Sequence, residues 1–245
     1  MDQAPPSFRF IRLFAVIATM AIAFVAFRQI APFAPLPQDV TKLVLWFAIP
    51  LAVLLVERRG NIGAALRSVG LKGFAWRAAL PGLASLCAAG GTLIALDARM
   101  PANLDFAALG LTAIIAPFAE ELLFRGYLVN GLVASGLGSV RAVVVGGLLF
   151  GLAHMGNVLD AAPATIILEV GITAAGGMLF GWTLLRFEGA LVAAFAFHAG
   201  LNLAWDALAV DSTAIGDSSG NIARAAGIAA GVAAVLLLTR RAKRS

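Results

Sequence analysis

Apolar runs long enough to cross a bilayer recur along this chain, near residues 10–27, 40–56, 77–96, 106–124, 141–159, 163–185, 189–208 and 222–239. A helix needs about 20 predominantly apolar residues to span a hydrocarbon core, where every backbone polar group must be satisfied within the segment. The pattern predicts an all-α, polytopic membrane helix bundle with about eight transmembrane helices. Composition agrees: 61% of the 245 residues are hydrophobic and 13% are charged, against about 25% charged in a soluble domain. Arg9 and Arg12 precede the first run as in a signal peptide, but no clear small-residue cleavage site follows. An uncleaved first span is the expectation.

The basic residues set an orientation. If the N-terminus is cytoplasmic and the spans alternate, the cytoplasmic side holds Arg9, Arg12, Arg58, Arg59, Arg67, Lys72, Arg77, Arg125, Arg141, Arg186, Arg240, Arg241, Lys243 and Arg244, which is 14. The other side holds 4, namely Arg28, Lys42, Arg99 and Arg224, and collects Asp39, Asp97, Asp105, Asp160, Asp206, Asp211 and Asp217. The excess of Lys and Arg predicts a cell (inner) membrane protein with both termini cytoplasmic. The net charge of +5 is not interleaved with aromatic residues as on a nucleic-acid surface, so no nucleic-acid partner is expected. The one cysteine, Cys87, excludes an internal disulfide framework and reads as a small core residue.

Three stretches follow from this pass: residues 1–104 with a basic cytoplasmic loop at 57–77, a core at 105–208, and residues 209–245 with an outer loop, a last span and a basic tail. In the 57–77 loop, Leu, Val, Phe and Trp alternate with Arg and Lys, as in a helix lying in the membrane interface. A substrate-docking element is the alternative there.

Three polar clusters interrupt the apolar runs: Glu120-Glu121-x-x-x-Arg125, Phe150-x-x-x-His154 and His198-x-x-x-Asn202. Ionisable groups at membrane depth cost about 2.5–3.5 kcal/mol or more and mark sites more often than accidents. Glu121 and Arg125 share a helical face and are expected to pair, fixing the end of the fourth span. Glu120 points about 100° away and has no partner nearby in sequence. A dehydrated, unpaired carboxylate suits a general base. Phe150 and His154 share a face, with Asn157 three residues on; His198 and Asn202 share another. Two neutral donors on one face fit an oxyanion site, and interhelical hydrogen bonding is the bland alternative. Helix arithmetic lets the clusters meet in the cytoplasmic half or near the midplane. Gly146, Gly147, Gly151, Gly171, Gly176, Gly177 and Gly181 read as packing residues. Glu169 belongs to no motif, and Asp206 is expected to be solvated.

In order and spacing the clusters resemble the CPBP family of intramembrane proteases, the CAAX-protease and bacteriocin-processing group (Abi family) that includes Rce1-type prenyl-protein endopeptidases. The family pattern EExxxR, FxxxH and HxxxN/D is matched at every position, and the resemblance covers roughly residues 105–205. It implies an intramembrane endopeptidase whose site opens toward the cytoplasmic side. By position, Glu120 would activate water with help from His154, His198 and Asn202 would hold the oxyanion, and Glu121 and Arg125 would support Glu120. The resemblance also raises a zinc site on Glu120, His154 and His198; a metal-free glutamate mechanism with no cofactor is favoured. Expected partners are membrane lipid and a membrane-associated or lipid-modified peptide or protein. The Ala/Gly-rich composition looks bacterial, which makes a prenylated substrate less expected. Rival readings are a non-proteolytic scaffold or immunity-type member of the same fold and a proton-coupled transporter. No internal repeat supports the transporter.

Overall fold

The computed structural model describes residues 6–73, 76–155, 161–210 and 214–241. Its elements are α1 (Pro6–Ile30), α2 (Gln38–Glu57), the short α3 (Ile62–Ser68) and α4 (Trp76–Ala95), a composite α5 over Phe106–Ala134, then α6 (Ser139–His154), α7 (Pro163–Arg186), α8 (Leu191–Ala207) and α9 (Ser218–Arg241). No strand occurs among the described residues. Six helices there, α1, α2, α4, α5, α7 and α9, are long and apolar enough to cross a membrane. The other two expected spans are the apolar α6 and α8, of 16 and 17 residues. At 1.5 Å per residue each is roughly 25 Å long, somewhat short of a hydrocarbon core of about 30 Å.

Side-chain contacts fix which helix ends lie together. Arg12 of α1 pairs with Glu57 at the end of α2 at 3.8 Å and donates to the Ala134 carbonyl at the end of α5. Leu191, opening α8, donates to the Gly70 carbonyl after α3, and Asn130 donates to Gly189 in the α7–α8 turn. Arg186, ending α7, donates to Thr239 near the end of α9. The start of α1, the ends of α2, α5, α7 and α9 and the start of α8 thus share one end of the bundle, hereafter the terminal end.

Small residues decide how closely the helices approach. A Cβ on Gly151 of α6 would lie 2.5 Å from the Val170 carbonyl oxygen of α7, and one on Gly82 of α4 would lie 2.1 Å from the Ala196 carbonyl oxygen of α8. Not every expected packing glycine packs: a Cβ on Gly171 would meet nothing within 4 Å, and Gly176 faces only the Phe180 ring edge at 3.9 Å.

Two local expectations are corrected. The fourth span does not end at Arg125: α5 continues to Ala134 through a π-helical stretch over Leu122–Val129. The buried Glu121–Arg125 pair satisfies the charges inside the protein, so the helix need not stop at water. Cys87 is exposed on the outward face of α4 rather than in the core, a setting that costs a small apolar side chain nothing against lipid. In the basic loop, α3 is a seven-residue helix capped by Asn61, whose Oδ1 accepts from the Ala64 N–H at 2.9 Å.

Candidate active site

Glu120 and Glu121 are the last residues of an α-helical turn before the π-helical stretch of α5. Consecutive helical residues diverge by about 100°, and the two carboxylates part accordingly. Glu121 turns into the protein. Its Oε1 lies 3.1 Å from Arg125 Nη1, both side chains having 0% exposure, and 2.8 Å from His198 Nδ1 of α8. The Arg125 guanidinium sits 4.1 Å from the Phe150 ring centroid and 5.4 Å from that of Phe180. Its nitrogens find no aligned acceptor among the described residues, so the aromatic faces carry what the single carboxylate does not. Phe150 thus earns its place in the second motif by packing on Arg125 as well as on the His154 ring, 4.4 Å away.

Glu120 turns the other way, to the wall of a cavity of about 770 Å³. Its partner is distant in sequence. Lys42 of α2 places Nζ 3.1 Å from Glu120 Oε1 and 3.6 Å from Asp39, with its ammonium 5.5 Å from the Trp46 ring centroid. The pairing spans 78 positions in sequence, beyond the reach of local spacing. Glu120 Oε2 lies 4.0 Å from His198 Nε2, a separation one water can bridge.

His154 is the last residue of α6, and its Nδ1 lies 2.8 Å from the Phe150 carbonyl oxygen. A carbonyl only accepts, so Nδ1 carries the hydrogen and Nε2 is the nitrogen left for the cavity. His198 stacks on Phe180, with centroids 4.6 Å apart and planes at 15°. The Glu121 carboxylate faces Nδ1 and fixes the ring, leaving Nε2 toward the cavity. Asn202 follows one turn later on α8. Glu120, Phe150, His154, His198 and Asn202 all line this one cavity. Glu121 and Arg125 stand behind it. Asn157 lies outside the described residues.

Sequence reasoning missed Lys42 and Phe180. An ionisable residue one turn inside an apolar run was the available signal for Lys42; nothing in sequence pointed to Phe180. Asp206, half-buried, lies in the cavity wall, and Glu169 joins it there, accepting from the Ala214 N–H at 3.1 Å. The cavity reaches from Glu120, Phe180 and His198 toward one end of the bundle. Its wall includes Asp39 at the start of α2, Leu93 near the end of α4, Thr112 near the start of α5, His154 ending α6 and Arg224 near the start of α9. All belong to the end of the bundle opposite the terminal end.

Glu120, His154 and His198 do not fit a zinc ion as they stand. No three His, Cys, Asp or Glu groups among the described residues are placed to hold one. The Lys42 ammonium also already occupies the cation position beside Glu120 Oε1.

Residues 102–204 match a protein-family model described as type II CAAX prenyl endopeptidase Rce1-like. The matched segment contains all three motifs, and its similarity to that endopeptidase family supports a protease at the family level. No curated protein and no solved structure matches the chain. Lys42 comes from α2, outside the Rce1-like segment.

Proposed function

We propose that this protein is an intramembrane endopeptidase that hydrolyses a peptide bond of a membrane-associated or lipid-modified protein or peptide. The observation that carries the reading is the convergence of Glu120, His154, His198 and Asn202 from three helices on one cavity, within the Rce1-like segment.

In this reading Glu120 takes a proton from a water molecule as the water oxygen attacks the scissile carbonyl carbon. His154 Nε2 accepts a hydrogen bond from that water and orients it. The carbonyl oxygen becomes an oxyanion, held by His198 Nε2–H and the Asn202 amide. The proton held by Glu120 then passes to the amide nitrogen, the C–N bond breaks as the oxyanion re-forms the carbonyl, and a carboxylic acid and an amine leave, with Glu120 again ionised. Lys42 holds one Glu120 oxygen in place, and the Glu121–Arg125 pair fixes His198. No step requires a metal.

Cleavage of a fluorogenic, lipid-modified C-terminal peptide by the detergent-purified protein tests the reading. Glu120→Gln is expected to lower the rate by about 10²–10⁴-fold, the range for loss of a general base, with thermal stability retained. A variant that cleaves at the wild-type rate would overturn it.

A further inference from the structure

At the terminal end a second, smaller cavity of about 70 Å³ lies between α1, α2, α3 and α5, apart from the one that Glu120 lines. Its wall includes Arg12 of α1, Glu57 and Arg58 at the end of α2, Ser68 ending α3, and Tyr127 and Asn130 of α5. The space suits one tetrahedral oxyanion rather than a peptide.

The cations here are only partly engaged. Arg12 has five N–H donors, yet its contacts are long: 3.8 Å to Glu57 Oε2 and 3.5 Å to the Ala134 carbonyl oxygen. A well-made N–H···O bond is about 2.7–3.2 Å. Glu57 is the one carboxylate in the wall among the described residues, and it is turned to Arg12. Arg58 is exposed, as are Arg59 and Arg67 beside the cavity. Arg59 sits at φ 51°, in the left-handed region where a side chain other than glycine or asparagine is uncommon, and Gly60 follows at φ 79°. This reversal folds α3 back so that Ser68 and Arg58 reach one cavity.

The level is that of lipid headgroups. The cavity is built largely from helix ends, and Val56 and Ile62 flank the arginines with 82% and 59% exposure, a mixture of apolar and basic side chains suited to a membrane interface. Tyr127, the one tyrosine of the chain, reaches the same wall; aromatic rings with a polar tip favour this level. Beside Arg12, Phe10 and Phe14 of α1 are exposed and offer apolar surface to acyl chains, which a free phosphate would not use.

We propose that this cavity binds the phosphodiester headgroup of an anionic phospholipid of the phosphatidylglycerol class, with Arg12 and Arg58 holding the phosphate oxygens. The planar guanidinium fork matches phosphate geometry, and basic pockets between transmembrane helices suit anionic headgroups. A zwitterionic lipid brings an ammonium that the surplus of arginine disfavours. Glu57 competes with the lipid for Arg12. Since Tyr127 and Asn130 belong to the helix that carries Glu120, a bound headgroup ties α1, α2 and α3 to the catalytic helix. The site does not depend on the protease reading.

The full chain, purified in a neutral detergent, is titrated with phosphatidylglycerol and with phosphatidylcholine of the same acyl chains, and bound lipid is counted by native mass spectrometry. One phosphatidylglycerol is expected to bind in preference to phosphatidylcholine. Arg58→Gln is expected to weaken that binding about fivefold, the worth of one arginine at an anionic surface, and Arg12→Gln by a similar factor. Arg58 is exposed, so its variant is readable even if Arg12→Gln fails to fold. Glu57→Gln is expected to tighten binding, and Arg141→Gln, at the exposed start of α6 and outside the cavity, to leave it unchanged. Equal binding of the two lipids would overturn the proposal, as would an Arg141→Gln loss as large as that of Arg58→Gln, which would mean diffuse attraction. Displacement of the lipid by equimolar inorganic phosphate or glycerophosphoglycerol would also overturn it, in favour of a soluble phosphate ligand.

Discussion

Glu121 carries more of this site than its sequence position suggests. One buried oxygen faces both Arg125 and His198, so removing it strands a guanidinium with no other carboxylate in contact among the described residues. Breaking a buried ion pair from one side costs about 3–5 kcal/mol, whereas replacing both partners by apolar groups of similar volume is often neutral. Glu121→Leu or Arg125→Met alone is therefore expected to lower unfolding stability in detergent by that order. The double variant is expected to recover most of the loss yet remain inactive, because His198 has lost the carboxylate that fixes its ring. Lys42 has a different role, since its charge-assisted contact reaches Glu120 itself. A hydrogen bond to a charged group is worth about 1.5–3 kcal/mol, so Lys42→Met is expected to slow cleavage by roughly 10–100-fold, with Lys42→Arg closer to wild type. The i, i+4 spacing made the Glu121–Arg125 pair and the His198–Asn202 face legible before any fold was known. Lys42 and Phe180 were not legible, because their contacts with Glu120 and His198 bring together helices far apart in sequence.

At the scale of elements, helix existence followed from hydropathy, and helix ends followed less well. The fourth span was expected to stop where charge appears, yet α5 runs on because its charges are neutralised within the protein. The π-helical stretch there has no sequence signal in these residues; its effect is to re-aim side chains just after the two glutamates, as such stretches often do near functional sites. Close approach of α6 to α7 positions His154, and it depends on Gly147, Gly151 and Gly177. Gly151→Leu forces side-chain carbon into the α7 backbone and is expected to destabilise the protein by about 1–3 kcal/mol or more, as overpacking does. Gly171→Ala, with open space around it, is expected to leave the melting temperature unchanged. Comparing the two by thermal unfolding in detergent separates packing glycines from cavity and groove glycines, a distinction the sequence alone could not draw.

At the scale of the molecule, the three motifs and their order were enough to point to a protease family before the helices were placed, and the Rce1-like match covers the same motifs. What the sequence could not supply was which end of the bundle the cavity opens toward, because that depends on where helix ends meet rather than on any local pattern. In the proposed mechanism Glu120 acts as base without a metal. The most direct measurement is the cleavage rate of wild-type protein on the fluorogenic lipid-modified peptide before and after exhaustive treatment with a strong zinc chelator, beside Glu120→Gln. An unchanged wild-type rate after chelation and a lost rate in the variant are expected. Wild-type activity that disappears with the chelator and returns with added zinc would contradict it, and would make Glu120, His154 and His198 ligands that rearrange around an ion.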